Sequence, residues 1–276
     1  MPHPISWASS MTYAIHSNAF RDMSYSRATK YIKERWPEAL IEASTCREHL
    51  GQVLRDWHSV FKFIIEEDWN SIGAVSGGWV DFATGVGVQS DGYADKQVVI
   101  ASAWGIPLRL FLCNPTLEPE NSREHRIAAA SMLGGFVKRW NFAETNICIE
   151  NHGGITANPL NVQEVLDLAS NLAEKRVYTT LDPINYATCG MNPWIACKAI
   201  RSESIGLVHV KDIDANGHYT IPGMGLYTKE WHKILDYLMV NDYKGTFTIE
   251  YEGKDLEHRD QYIDKAIEFL AEYIDE

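Results

Sequence analysis

The feature that most constrains this chain is an alternation: eight short, β-rich apolar runs are each followed by a stretch of helical period. The runs cover 11–17, 39–44, 71–76, 106–114, 146–150, 177–182, 205–212 and 246–252. Strands joined through helices lie parallel, because a crossover long enough to hold a helix returns the chain in its original direction. Eight such units close most simply into a (β/α)8 TIM barrel, for which about 250 residues is typical. The expectation is an α/β fold with one barrel domain over residues 1–276. After the fifth run, Asn161 is expected to cap a helix with Glu164 three residues on. There Val162, Val165, Leu166, Ala169, Leu172 and Ala173 form one apolar stripe. Connections are short apart from 80–94, which follows the third run and is expected to form a lid on the face where barrel enzymes keep their sites.

Composition narrows the partners. Lysine and arginine number 25 against 37 acidic residues, a net charge of -12, which argues against nucleic acid because phosphate binding needs clustered cations. The five cysteines are odd in number and contain no CxxC pair, as expected of a protein in a reducing cytoplasm. No run approaches the roughly 18 apolar residues of a membrane span, so no membrane partner is expected. Barrels often associate through their helical exteriors, so a homo-oligomer is compatible with this reading, but no sequence feature fixes the number of subunits.

Side-chain alternation then places chemistry. If Ile147 and Ile149 face the helices, Cys148 and Glu150 face the barrel axis. By the same parity Asp182 points inward in the sixth run, His209 and Lys211 in the seventh, and Glu250 and Glu252 in the eighth. Four consecutive strands thus deliver Glu150, Asp182, His209 and Glu250 to one space. Three converging carboxylates would raise one another's pKa unless a cation stood among them, which points to one divalent ion. Oxygen-rich ligation with one imidazole favours Mn²⁺, with Mg²⁺, Co²⁺ or Zn²⁺ as alternatives. The bland alternative for each acid is a cap on the helix that follows.

Ile149-Glu150-Asn151-His152-Gly153-Gly154, Leu181-Asp182-Pro183-Ile184-Asn185, Val208-His209-Val210-Lys211-Asp212 and Thr248-Ile249-Glu250-Tyr251-Glu252-Gly253 resemble the xylose-isomerase-like TIM-barrel superfamily, in its sugar phosphate isomerase/epimerase branch. The resemblance implies that Glu150, Asp182, His209 and Glu250 hold one metal ion, and that Glu150 and Glu250 are the catalytic acid/base pair on opposite faces of a bound keto sugar. The expected activity is isomerisation or epimerisation of a keto sugar or related polyol ketone through a metal-bound enediolate. The alternative is a lyase or dehydratase that eliminates a β-substituent from the same intermediate. A phosphodiesterase of the endonuclease IV type shares the barrel but needs a histidine-rich three-metal cluster, against which Asn185 and the net charge of -12 both speak.

His152, Asn185, Lys211, His16 and Glu42 are candidate contacts for a small carbohydrate substrate. His152 shares the parity of Glu150, with a loop histidine bonded to backbone as the alternative. Asn185 stands where the ketose 3-epimerase branch often has a histidine. Lys211 is read either as a partner for a substrate oxyanion or as an ion-pair partner of Asp212 or Glu252. His16 and Glu42 have parity suited to the pocket floor, and Trp79 or Trp104 is expected at the mouth. Pro222-Gly223-Met224-Gly225 resembles the GxG that follows strand seven in the family, with Met224 and Leu226 where an acid often stands.

Overall fold

The computed structural model describes residues 12–46, 49–78, 80–82, 92–113 and 122–274. Each of the eight runs contributes a strand to a closed barrel: β1 (Thr12–His16), β2 (Leu40–Ser44), β3 (Ile72–Ser76), β4 (Leu108–Phe111), β5 (Ile147–Glu150), β6 (Tyr178–Leu181), β7 (Ile205–Val210) and, after a small antiparallel hairpin of β8 (Asp212–Ile213) and β9 (Tyr219–Thr220), β10 (Thr246–Ile249). Every neighbouring pair in the barrel is parallel. The strands are shorter than the apolar runs for local reasons. Pro107 cannot donate to a ladder, so β4 begins only at Leu108, although the Pro107 carbonyl still accepts from Val75 N at 2.9 Å. The run 205–212 divides after Val210, and Asp212 passes into the hairpin.

Alternation sorts the strand residues into two environments. Ile147, Ile149, Leu181, Val208, Val210, Phe247 and Ile249 pack into the large core between barrel and helices. Inside the barrel, Ala74, Cys148 and Leu207 form a separate fully buried cluster with Tyr178 against it. Two register shifts keep this sorting correct. One falls where β3 carries Gly73 and the other where β7 carries Gly206, so Ile72 and Ile205 stay with the outer core while Ala74 and Leu207 turn in. A Cβ at Gly206 would lie 2.6 Å from Cys148 Sγ, so β7 and the barrel interior approach too closely for any larger residue.

The helix after β5 runs Pro159–Ala173, and its cap is Asn158, not Asn161. Asn158 accepts from Leu160 N at 2.9 Å, and Pro159 supplies the preset backbone angle of a first helical residue. Leu172, expected on the buried stripe, is 48% exposed. Its Cβ borders Gly134 of the helix Arg123–Arg139, where a side chain would come within 2.8 Å of it. That close approach accounts for a glycine inside an otherwise helical run. Trp104 is buried at the end of the helix Tyr93–Trp104, its ring 5.3 Å from that of Phe63, and so belongs to the outer core and not to the mouth. Trp79 and most of the expected lid at 80–94 lie outside the described residues. Among the described residues, no helix is long and apolar enough to cross a membrane.

Candidate metal centre

The C-terminal ends of β5, β6, β7 and β10 bring Glu150, Asp182, His209 and Glu250 together. One ligand atom from each lies within 4.8 Å of the other three, and all four residues are buried. Glu150 is the last residue of β5, and His209 lies within β7. Asp182 and Glu250 immediately follow β6 and β10, where Glu250 N still donates to Val210 O at 3.1 Å.

Asp182 caps a helix, the alternative role open to it in the sequence, and also faces the convergent group. Its Oδ1 caps the helix Pro183–Thr188, accepting from Ile184 N at 2.9 Å and Asn185 N at 3.0 Å. Its Oδ2 has no hydrogen bond and faces the centre, 2.9 Å from Lys211 Nζ. The carboxylate is further framed by Asn151, whose side chain bonds the Asp182 backbone in both directions at 2.7 and 2.8 Å.

His209 presents its two nitrogens to different neighbours. Nε2 lies 3.2 Å from Glu42 Oε1, while Nδ1 faces Glu250 Oε2 at 3.2 Å and Glu150 Oε1 at 3.6 Å without a hydrogen-bond partner. An imidazole so placed could ligate: a carboxylate behind fixes the ring, and the other nitrogen faces the converging glutamates. Two buried donor atoms left unbonded, His209 Nδ1 and Asp182 Oδ2, beside two glutamates therefore fit a divalent cation.

Neighbouring protein groups set the protonation of these residues. Burial works against the imidazolium of His209, but Glu250, Glu42 and Glu150 outweigh it and hold its pKa well above the ordinary histidine value. Burial likewise opposes ionisation of Glu150, yet Arg109 and then His209 bring its pKa down to about 2. For Glu42 the histidines His209 and His16 do the same, again to about 2. Burial dominates at Asp182 and lifts it to about 6 despite Lys211.

Around the four stand groups that the sequence reading placed otherwise or missed. Glu42 was expected on the substrate side of the floor; it is fully buried and engaged with His209. His16 Nε2 bonds Ser76 Oγ at 2.8 Å and lies 3.9 Å from both Glu42 Oε1 and Glu250 Oε1, and burial lowers its pKa. Asn185 gives a side-chain N–H to Glu150 Oε1 at 3.0 Å, so it supports a candidate ligand. Lys211 pairs with Glu252, one of its two expected partners, and with Asp182 and Glu250 in place of Asp212. His152 is half-buried, and its ring meets that of Phe111 at 4.8 Å.

Arg109 was not foreseen. It projects from β4, 5% exposed, with Nε 3.0 Å from Glu150 Oε2, Nη1 donating to Gly77 O at 3.1 Å, Nη2 donating to Ser76 Oγ, and its guanidinium 4.4 Å from the Phe111 ring. An arginine between Leu108 and Leu110 was the available signal, since a cation in an apolar strand needs a buried anion. Of the glycines in Pro222–Gly225, Gly223 takes a φ of +87° with open space around it, whereas Gly225 serves packing. A Cβ at Gly225 would collide with the Asp212 carboxyl, whose Oδ1 accepts from Ile213 N at 2.7 Å and Tyr227 N at 3.2 Å and so ties the hairpin to the helix that follows.

Comparison with known proteins agrees with this architecture. The sequence profile of the xylose isomerase-like TIM barrel family matches residues 92–273. The chain belongs to that family. Among solved structures it is similar to D-allulose 3-epimerase from Methylomonas sp. in complex with D-allulose, at TM-score 0.74 and 15% identity over 98% of this chain and 100% of that one. It is also similar to the IOLI protein with a binding zinc atom, at TM-score 0.72 and 15% identity over 95% and 99% of the two chains. A third is the probable 3-DHS dehydratase AsbF from Bacillus anthracis, at TM-score 0.68 and 15% identity over 95% and 99%. No curated protein matches the sequence.

Proposed function

We propose that the protein is a divalent-metal-dependent isomerase or epimerase of a keto sugar or related polyol ketone. The observation that carries this is the buried Glu150, Asp182, His209 and Glu250 group, whose donor atoms lie within 4.8 Å of one another. Manganese is the preferred ion for three carboxylates and one imidazole. When bound, such an ion supplies Lewis-acid polarisation of a substrate carbonyl and the hydroxyl beside it.

The residues would divide the remaining work. Glu150 and Glu250 come from strands on different sides of the centre and move the proton: one takes it from the carbon next to the carbonyl, the other returns it to the opposite face. Positioned acid/base transfer of this kind is worth about 10² to 10⁴ in rate. Neither glutamate is loose. Arg109 and Asn185 hold Glu150, while Lys211 and His209 hold Glu250, which fixes each carboxylate for transfer without reorganisation. The His152 and Phe111 rings meet at 4.8 Å, with Phe111 paired in register with Glu150, and the Tyr219 ring lies 5.2 Å from Lys211 Nζ. Such rings suit a polyol with hydroxyl edges and C–H faces.

The similarity to a structure complexed with D-allulose supports a ketose substrate. Similarity to a dehydratase supports a second reading, in which the same proton removal expels a β-substituent. The test is a panel of ketoses incubated with the manganese-loaded protein in deuterium oxide. Deuterium at the carbon next to the carbonyl with unchanged carbon count supports epimerisation. Loss of water or of a glycosyl fragment from the product selects the lyase. Isomerised or epimerised product that carries no deuterium would sink the first reading.

A further inference from the structure

Lys211 is 1% exposed, and its ammonium lies 2.9 Å from Asp182 Oδ2, 2.8 Å from Glu250 Oε2 and 2.8 Å from Glu252 Oε2. We propose that this ammonium is a built-in second cation: it fills a cage of Asp182, Glu250 and Glu252 that would otherwise admit a second divalent ion, and so holds the centre at one ion per chain. The inference rests on the reading of Glu150, Asp182, His209 and Glu250 as ligands of a single ion.

The geometry is that of a two-cation centre with one position taken by protein. Centres that hold two ions place them about 3.5–4 Å apart and share carboxylates between them. Here the sharing is present. Asp182 and Glu250 belong both to the candidate ion-holding group and to the cage around Lys211. A single oxygen, Glu250 Oε2, stands 2.8 Å from Lys211 Nζ and 3.2 Å from His209 Nδ1, facing both positions. Glu252 completes the outer side of the cage, and it is the one member with substantial exposure, at 30% of its side chain.

Three carboxylates suit the ammonium: Glu250 and Glu252 accept its N–H groups, and Asp182 forms an ion pair with it at 2.9 Å. The same three match equally a hard cation with oxygen ligands. What separates the two occupants is chemistry. An ammonium neutralises charge but has no vacant orbital, so it cannot bind a water, acidify it or bridge a leaving oxygen. A lysine there denies the barrel the paired-ion chemistry that phosphoester hydrolysis uses and leaves a single polarising ion suited to proton transfer. Arg109 cannot substitute, since its guanidinium is held on the β3–β4 side by Gly77 O and Ser76 Oγ. The Tyr219 ring, 5.2 Å from Nζ, adds a cation–π contact to the ammonium.

The test is ion stoichiometry. Wild type, Lys211→Ala and Lys211→Ala/Glu252→Gln are saturated with Mn²⁺, desalted and measured by elemental analysis, with circular dichroism as the check on folding. The expected result is one ion per chain in wild type, two in Lys211→Ala with the magnetic coupling of paired Mn²⁺ in its electron spin resonance spectrum, and one again in the double variant. A folded Lys211→Ala that still holds one uncoupled ion overturns the proposal, as does a wild type that holds two. A wild type that holds none overturns the metal reading itself, which keeps the two failures apart. If alanine does not yield folded protein, Lys211→Ser, which leaves the same opening with a small oxygen ligand, is judged by the same outcomes.

Discussion

The two halves of the barrel bring different kinds of group to the same space. β5, β6, β7 and β10 deliver the four residues whose donor atoms converge, whereas β1 to β4 deliver His16, Glu42, Ser76 and Arg109, none of which belongs to that group. Three of these four nevertheless stand against a member of it: His16 near Glu250, Glu42 on His209, and Arg109 on Glu150. One half would ligate, and the other sets the protonation and aim of what ligates. A site of this type is therefore only half described by its ligands.

That division can be broken at several points. The largest effect is expected on the ligating half, where Glu250→Gln should lower kcat by about 10² to 10⁴ on whichever ketose the deuterium screen identifies. If turnover survives at wild-type level, Glu250 moves no proton. On the supporting half, Arg109→Met leaves the Glu150 carboxylate buried without its nearest cation. Breaking a buried pair from one side costs about 3–5 kcal/mol, and urea unfolding of the metal-free variant should show a loss of that order. An unchanged midpoint would mean that Arg109 is a bystander.

Glu42→Gln is milder, because the amide oxygen can still face His209 while the charge is gone. The expected change is a fall in manganese affinity of about 10- to 100-fold, read by competition with a chromogenic chelator. Equal affinity would remove Glu42 from the support of His209. The smallest effect concerns a carboxyl outside the centre. Burial lifts Asp212 to about 6 from an ordinary 3.8, so the folded state binds its proton more tightly than the unfolded chain does. Stability from this group is thus gained as pH falls from about 6 towards 4 and lost as pH rises through that window. In metal-free protein, the stability of wild type relative to Asp212→Asn should improve over the same descent; a difference that is flat, or that moves the other way, refutes the raised pKa.

The convergent half was legible in the sequence because each member sits at or near a strand end, with apolar residues on either side of Asp182, His209 and Glu250 and with Ile147 and Ile149 alternating before Glu150, so that period-two alternation alone turns it inward. The supporting half was less so. Arg109 has the same parity signal, but its partner Glu150 is 41 positions away, and pairing across strands depends on register, which parity does not determine. The register shifts at Gly73 and Gly206 are a further example, since a glycine inside a strand hints at a bulge but does not say how the pairing with the neighbouring strand will shift. Asn185 and Glu42 were assigned to substrate because an inward polar side chain looks the same from sequence whether it meets a ligand or a neighbour. The cap at Asn158 in place of Asn161 turned on Pro159, whose preference for the first helical position outweighs the capping-box pattern three residues later.

The Ala74, Cys148 and Leu207 cluster has one more consequence. These solvent-free side chains fill the barrel axis below the four convergent residues, so no path to them runs through that plug. On the proposed function, substrate and product would both pass on the side of the strand C-terminal ends, and bulk added there would slow arrival and departure alike.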